Sequence, residues 1–217
     1  MSTFDVDTFA ASLKDAMSRA THRREAARLH LEATIRELGP DEIIRALQDR
    51  IPAGAAIGEM IVHRSPELTM LYARVPPRMQ SAIHNHTVCA CIGQLRGEEV
   101  NRIYERSEDG GLREVRQMTV RAGEAIALDA DIIHCIENPG HETAHALHLY
   151  RGDFGALDDK RSLWGWGDHR EQPFSFPRLL EESAKAMHQT GNREGLATLR
   201  EAIPAARPLV DRLTAST

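Results

Sequence analysis

The chain has 217 residues, of which 41% are hydrophobic and 27% charged, and its formal net charge is −5 at pH 7. This composition is typical of a globular protein of one or two domains, and the net negative charge argues against a broadly basic nucleic-acid-binding surface. No apolar run approaches the roughly 18 residues that span a bilayer, and the three cysteines form no disulfide framework. We therefore expect a cytoplasmic protein with no nucleic-acid or membrane partner.

The first zone, residues 1–54, is predicted to form helices that pack on the rest of the chain. Apolar side chains recur there at helical spacing, at Phe4, Phe9, Leu13 and Met17. A second apolar stripe ends at Gly39-Pro40, which is predicted to stop its helix. Asp41 is predicted to cap the next helix, Glu42–Gln48.

The second zone, residues 55–155, consists of short segments separated by turn signals, which is typical of an all-β barrel or sandwich. The predicted strands are Gly58–Val62, Leu68–Val75, Ser81–Leu95, Glu99–Glu105, Arg113–Thr119, Ala125–Leu128, Ile132–Glu137 and Ala144–Tyr150. The third zone, residues 156–217, is predicted to be a loop followed by a helical tail.

Two histidines one strand repeat apart give the first indication of chemistry. His84 and His86 lie in a predicted strand, where alternate side chains point to the same face. Two imidazoles so placed can chelate one metal ion. The alternative interpretation is that these histidines only form hydrogen bonds within the barrel. A second segment, from Gly123 to Asn138, contains His134 near a strand end and can bring a third imidazole across the barrel.

These two segments resemble the paired signature motifs of the cupin superfamily, a double-stranded β-helix (jelly-roll) barrel with a metal in its mouth. The resemblance implies a mainly β fold with N- and C-terminal helical extensions and a metal bound by the three histidines. The sequence departs from the motifs at two places. Ala90 and Cys91 stand where the first motif has a Glu, and Asp129-Ala130-Asp131 replaces the Pro-x-Gly of the second.

The absent Glu bears on the choice of metal. Three neutral imidazoles leave a divalent ion with its full charge and with open coordination positions, which favours anionic chelating substrates and dioxygen. We therefore predict Fe(II) as the cofactor, whereas a Glu ligand would have favoured manganese or nickel.

A third segment, Ala144–Tyr150, is similar to one in the thiol dioxygenases, the cysteine and 3-mercaptopropionate dioxygenases. That family has Ser-x-His-x-Tyr where this chain has Ala146, His148 and Tyr150 on one face of a predicted strand. The resemblance implies oxidation of a small thiol by O2 to its sulfinic acid. It also implies catalytic roles for Tyr150 and His148 beside the iron, with the relay shortened by Ala146.

The resemblance further implies an arginine that binds the substrate carboxylate, because a guanidinium pairs with a carboxylate through two hydrogen bonds. Arg74, on a strand before the histidine pair, and Arg178, after a Pro-Phe segment, are the candidates. Cys91 invites comparison with the cysteine that crosslinks to the tyrosine in mammalian-type cysteine dioxygenases. A Cys91–Tyr150 thioether and a buried structural thiol are the two interpretations.

Two other functions are compatible with the same residues. A three-His cupin can cleave a carbon–carbon bond of a diketone-like substrate through an enolate, or a cupin can bind a metal or ligand as a sensor without turnover. We expect a small-molecule thiol and O2 as partners, and a monomer or homodimer. Thiol-dependent oxygen uptake distinguishes the three functions.

Overall fold

The computed structural model of the protein describes residues 3–51, 60–108 and 110–215. Three helices come first, and they are α1 (Val6–Arg19), α2 (Arg23–Leu38) and α3 (Pro40–Gln48). Asp5 caps α1 by accepting a 2.8 Å hydrogen bond from the Thr8 amide. Along the described part of the chain, no helix is both long enough and apolar enough to cross a membrane.

The start of α3 differs from the prediction. Pro40 opens α3 instead of lying between two helices, and Gly39, at φ 82°, is the residue that flanks it. Proline suits the first helical position because the amide it lacks would have no intrahelical acceptor. Asp41 lies inside the first turn, where its charge is favourable at the positive end of the helix dipole. The prediction that Asp41 caps this helix is therefore wrong.

Eleven strands and three further helices are present in the described residues. The strands are β1 (Ile61–Arg64), β2 (Thr69–Val75), β3 (Ile83–Asn85), β4 (Ala90–Arg96), β5 (Glu98–Arg106), β6 (Leu112–Arg121), β7 (Ala125–Leu128), β8 (Ile133–Glu137), β9 (Ala144–Tyr150), β10 (Ser162–Trp164) and β11 (Glu171–Pro173). The helices are α4 (Phe176–Gln189), α5 (Arg193–Ala202) and α6 (Arg207–Ala215).

The strands form two antiparallel sheets, ordered β1-β2-β9-β4-β7 and β11-β10-β3-β8-β5-β6. From β2 to β9 the chain passes back and forth between the sheets, which is the winding of a double-stranded β-helix. The predicted fold class, mainly β with helices at both ends, is confirmed. Strands β10 and β11 lie beyond residue 155 and extend the second sheet.

One predicted strand, Ser81–Leu95, is in fact two strands, β3 and β4, which belong to opposite sheets. Between them Thr87 adopts φ 60°, in the left-handed region, and the chain turns there. Residues 86–89 contain no Gly or Pro, so the usual turn signals are absent. Of the predicted strand Gly58–Val62, Ile61 and Val62 lie in β1. Gly58, like the predicted domain boundary between residues 54 and 55, lies outside the described residues.

Strand β9 shows how the register assigns side chains to the two faces of the first sheet. Ala146, His148 and Tyr150 face the barrel interior. Leu147 and Leu149 face outward and share one apolar core with α1, α2 and α3. The N-terminal helices therefore cover the outside of the barrel, and the interior is left for the polar residues described next.

Candidate metal centre

Three histidines converge inside the barrel. His84 lies in β3, His86 follows β3 directly, and His134 lies in β8, where it pairs with His84 across the strands. The Nε2 atom of His86 is 3.3 Å from that of His84 and 3.2 Å from that of His134. Imidazole nitrogens that share one ion at about 2.1 Å have separations of this size. The three predicted ligands are therefore brought together in an arrangement that fits a single metal ion.

Hydrogen bonds on the far side of two of these rings fix their orientation. His84 Nδ1 is 3.0 Å from the Ala82 carbonyl oxygen, and His134 Nδ1 is 2.9 Å from Asn101 Oδ1. Because each acceptor requires an N–H at Nδ1, the Nε2 lone pairs point at the shared centre. His86 Nδ1 is buried without a hydrogen-bond partner among the described residues.

Burial keeps the three imidazoles neutral. It lowers the pKa of His84 to about 4, with the Ala82 carbonyl acting in the opposite direction. Burial and the neighbouring histidines lower the pKa values of His86 and His134 well below the ordinary 6.5. Neutral imidazole is the form that ligates a metal, so the site needs no deprotonation near pH 7.

The predicted pair His148 and Tyr150 faces the same interior. The Tyr150 hydroxyl oxygen is 3.2 Å from His148 Nδ1, and the Tyr150 ring meets the His86 ring edge-on at 5.0 Å between centroids. Burial raises the pKa of Tyr150 above its usual value, so its hydroxyl stays protonated near pH 7. A neutral phenol thus lies directly beside one histidine of the triad.

Neither predicted substrate arginine is placed beside the triad. Arg74 alternates with Ala73 in β2 and shares the outward face with Tyr72, away from the barrel interior. Arg178 lies in the first turn of α4, where its guanidinium donates to the Pro173 carbonyl. It lines an open cavity of about 690 Å³ between α4 and the β10–β11 region, whose lining includes none of the three histidines.

A different arginine, which the sequence analysis missed, lies at the site. Arg161 is only 3% exposed and immediately precedes β10, whose Leu163 pairs with His84. Continuing that antiparallel register by two residues places Arg161 opposite His86, on the interior face. Burial is the main cause of the lowered pKa values of His84 and His86, and the positive charge of Arg161 adds to it; at Tyr150 the same charge opposes the larger effect of burial, which raises the pKa.

Two phenylalanine rings hold the Arg161 guanidinium. Its central carbon is 4.0 Å from the centroid of Phe154 and 3.7 Å from that of Phe174, and it forms an ion pair with Asp158. The Nε atom is buried without a partner among the described residues, and burial lowers the pKa of the group. Because the two rings are 20 residues apart in sequence, no local motif revealed this pocket.

The position of Cys91 bears on the thioether question. In β4, Ala90 pairs with Tyr150, whereas Cys91 pairs with Leu149 on the opposite face. Cys91 belongs to the apolar core under the N-terminal helices, and burial raises the pKa of its thiol to about 12. The structure therefore agrees with the interpretation of a buried structural thiol, and a Cys91–Tyr150 thioether is incompatible with this register.

No protein-family model matches the chain. Similar solved structures include an uncharacterised conserved protein with a double-stranded β-helix domain from Klebsiella pneumoniae subsp. pneumoniae MGH 78578, with 14% identity and a TM-score of 0.39, covering 49% of this chain and 82% of that one. Oxalate decarboxylase from Bacillus subtilis matches with 19% identity and a TM-score of 0.35, over 41% of this chain and 22% of that one. The DMSP lyase from Ruegeria pomeroyi DSS-3 matches with 17% identity and a TM-score of 0.33, over 41% of this chain and 40% of that one. The matches thus span less than half of the length of either enzyme.

Proposed function

We propose that the protein is a non-haem Fe(II) dioxygenase that oxidises a small thiol, such as cysteine or 3-mercaptopropionate, to its sulfinic acid with O2. The observation that supports this most is the convergence of three neutral imidazoles in a barrel interior that also buries a phenol and a guanidinium beside them. In the thiol dioxygenases that the sequence resembles, these groups serve as metal ligands, second-sphere phenol and carboxylate clamp.

His84, His86 and His134 would hold Fe(II) through their Nε2 atoms. When bound, Fe(II) would supply adjacent coordination positions for a thiolate and dioxygen, and the electrons that allow dioxygen to react with sulfur. All three ligands are neutral, so an anionic substrate group is favoured at the site.

The other residues would bind and orient the substrate. Arg161 offers a buried Nε–H donor for a carboxylate, and burial strengthens such a charge-assisted hydrogen bond. The Tyr150 hydroxyl oxygen would accept a hydrogen bond from the substrate, while His148 holds the phenol in place from the other side. The Phe154 ring stacks on Tyr150 at 3.8 Å and helps to exclude water from the site.

The proposed reaction balances without an external reductant. One thiol, RSH, and one O2 give one sulfinic acid, RSO2H, so both oxygen atoms are transferred to sulfur and the sulfur is oxidised by four electrons. We further propose the cytoplasm as the location, because a reducing compartment keeps both the substrate thiol and the three free cysteines reduced.

Oxygen uptake after anaerobic loading with Fe(II) tests this function. The substrates would be cysteine, 3-mercaptopropionate, cysteamine, mercaptosuccinate and a β-diketone. We expect consumption of one O2 per thiol and a sulfinate product by mass spectrometry. Uptake with the diketone alone would assign carbon–carbon cleavage instead. Bound iron with no uptake on any substrate would contradict the thiol assignment and favour a binding role.

A pair of histidine variants provides the control. We expect His86→Ala to lose both iron and activity, because it removes the ligand whose Nε2 lies between the other two. The matched variant His22→Ala changes an exposed histidine far from the site in sequence and is expected to keep both. Full activity of iron-free His86→Ala would overturn the proposal.

A further inference from the structure

A buried carboxylate inside the barrel has no role in the function described so far. Glu99 in β5 is 0% exposed and shares the interior face with Asn101 and Ile103, and Ile103 pairs with His134. Glu99 Oε1 accepts a 2.9 Å hydrogen bond from Asn101 Nδ2. Burial of a carboxylate is costly, so its second oxygen needs a partner.

The group that faces this second oxygen is His148. Glu99 Oε2 and His148 Nε2 are 3.6 Å apart, which is ion-pair distance, and each is buried without a hydrogen-bond partner among the described residues. Ala146, which shares the face of His148 on β9, has no hydroxyl to offer. Glu99 is thus the acceptor available to the Nε2 side of this imidazole.

Glu99 lies in the middle of one row of polar contacts. On one side Asn101 Oδ1 meets His134 Nδ1 at 2.9 Å, and on the other side His148 Nδ1 meets the Tyr150 hydroxyl at 3.2 Å. The row therefore runs from a histidine of the triad to the phenol. Its two ends are the His134 imidazole and the Tyr150 hydroxyl, and both carry protons whose positions the row can set.

The direction of every proton in this row follows from the carboxylate. Glu99 Oε2 faces His148 as a hydrogen-bond acceptor, so a neutral His148 imidazole has its single proton on Nε2 and uses Nδ1 as an acceptor. The Tyr150 hydroxyl then donates to His148. On the other side, the Asn101 amide must turn its NH2 group to Glu99, which leaves its oxygen for the His134 Nδ1–H.

We propose that Glu99 is a positioning residue that fixes the tautomers of both His134 and His148. The tautomer of His134 leaves its Nε2 lone pair free, and the tautomer of His148 sets the direction of the Tyr150 O–H bond. The effect of these tautomers on thiol oxidation rests on the proposed function. The tautomers themselves do not depend on it, because they follow from the contacts of the protein alone.

Nitrogen-15 NMR of the imidazole rings in the metal-free protein tests the proposal. We expect His148 to be protonated on Nε2 alone and His134 on Nδ1 alone. Protonation of His148 on Nδ1, either alone or together with Nε2, would overturn the proposal, since Tyr150 could not then donate to it. This measurement on the unmodified protein decides the question even where a variant fails to fold.

Glu99→Gln is the decisive variant, because a carboxamide has one accepting and one donating side. If its oxygen stays with Asn101, its NH2 faces His148 and moves the His148 proton to Nδ1. If it flips, Asn101 must flip as well, and the His134 proton moves to Nε2. We therefore expect one of the two tautomers to reverse, and retention of both would contradict the proposal.

Glu137→Gln is the matched control. Glu137 lies on β8 with its carboxylate paired to Arg102, on the face opposite to His134. We expect it to leave both tautomers unchanged. In iron-loaded protein we expect Glu99→Gln to lower kcat for the thiol by about 10- to 100-fold. Intact tautomers in a protein that oxidises no thiol would reject the proposed function and leave the positioning role of Glu99 standing.

Discussion

At the scale of single residues, the site combines histidines that burial keeps neutral with an arginine whose charge is supported by an ion pair to Asp158 and by two aromatic rings. His84, His86 and His134 are buried as neutral bases, whereas Arg161 is held as a cation between two aromatic rings. The three neutral imidazoles suit a cation as partner, and the Arg161 guanidinium suits an anion. A metal together with an acidic substrate therefore satisfies both.

The neutral histidines make the metal-free protein sensitive to acid. The folded-state pKa of His84 is about 4 and the unfolded-state value is near 6.5, so between these pH values the unfolded chain binds a proton that the folded chain does not. The contribution of neutral His84 to the stability of the folded protein is therefore complete above pH 6.5, and it is lost as the pH falls toward 4. We expect the free energy of unfolding to fall by about 1.4 kcal/mol per pH unit for this histidine.

Urea denaturation between pH 7.5 and 4.5 measures this effect. In His84→Gln, the slope of the free energy of unfolding against pH should be smaller than in the unmodified protein, by the equivalent of about one proton. His22→Gln, at an exposed position, should leave the slope unchanged. Identical slopes in all three proteins would show that His84 is not buried as a neutral base.

The clamp assignment is tested by comparing two arginines. We expect Arg161→Gln to raise KM for 3-mercaptopropionate by about 10- to 100-fold, the equivalent of a lost charge-assisted hydrogen bond, with iron content unchanged. Cysteamine, which lacks a carboxylate, should be affected little. Arg178→Gln should behave like the unmodified protein, because that side chain is half-buried, lies away from the triad and is bonded to a backbone carbonyl. The reverse outcome would assign the clamp to Arg178.

At the scale of elements, the N-terminal helices are fitted closely to the outside of the first sheet. A Cβ atom added at Gly93 in β4 would lie 2.6 Å from Leu31 Cδ2 and 2.9 Å from Ile35 Cδ1, both on α2. Real side chains do not approach so closely, and glycine is therefore required where α2 crosses the strand.

Gly93→Ala is expected to destabilise the protein by about 1–3 kcal/mol through overpacking. Leu31→Ala should also destabilise it, by opening a cavity. The double variant should be more stable than the sum of the two effects predicts, because each change relieves the other. Chemical denaturation of all four proteins measures the coupling, and strict additivity would mean that α2 does not contact Gly93.

The sequence alone predicted the elements better than it predicted their junctions. Strand alternation correctly placed His148 and Tyr150 on one face, and the His-x-His motif correctly paired His84 with His86. The turn at Thr87 was missed because it contains no turn residue.

The residues that complete the site were harder to find. Arg161 and Glu99 were missed because contacts distant in sequence define them: the first lies between two rings, and the second faces a histidine 49 positions later. Side-chain chemistry that depends on tertiary contacts leaves no periodic trace in a sequence.

At the scale of the whole molecule, the C-terminal helices support the metal site. Ser183 on α4 accepts a 2.8 Å hydrogen bond from the Ala82 amide, and the carbonyl of Ala82 fixes His84 Nδ1. The tail thus acts on a triad ligand through a single residue, although it lies outside the barrel.

Ser183→Ala is expected to leave the Ala82 amide buried without a partner, at a cost of about 1–3 kcal/mol in stability. Because the support of His84 weakens, we also expect metal affinity to fall by about 10-fold. Thr214→Ala is the matched control, because Thr214, like Ser183, donates to a carbonyl four residues earlier in its own helix, and it is exposed and remote from Ala82 in sequence. Titration with Fe(II) or Zn(II) and thermal denaturation measure both quantities. Unchanged affinity in Ser183→Ala would show that α4 only packs on the barrel.

The contact between Ser183 and Ala82 also has a consequence for the chain as it is synthesised. The two residues are 101 positions apart, so at about 5–20 residues per second roughly 5 to 20 s separate their appearance. All three histidines of the triad are made within that interval, but His84 still lacks the support of α4 until the interval ends. His84 therefore gains this support only after α4 has been made, and a nascent chain that stops before α4 is expected to retain metal poorly.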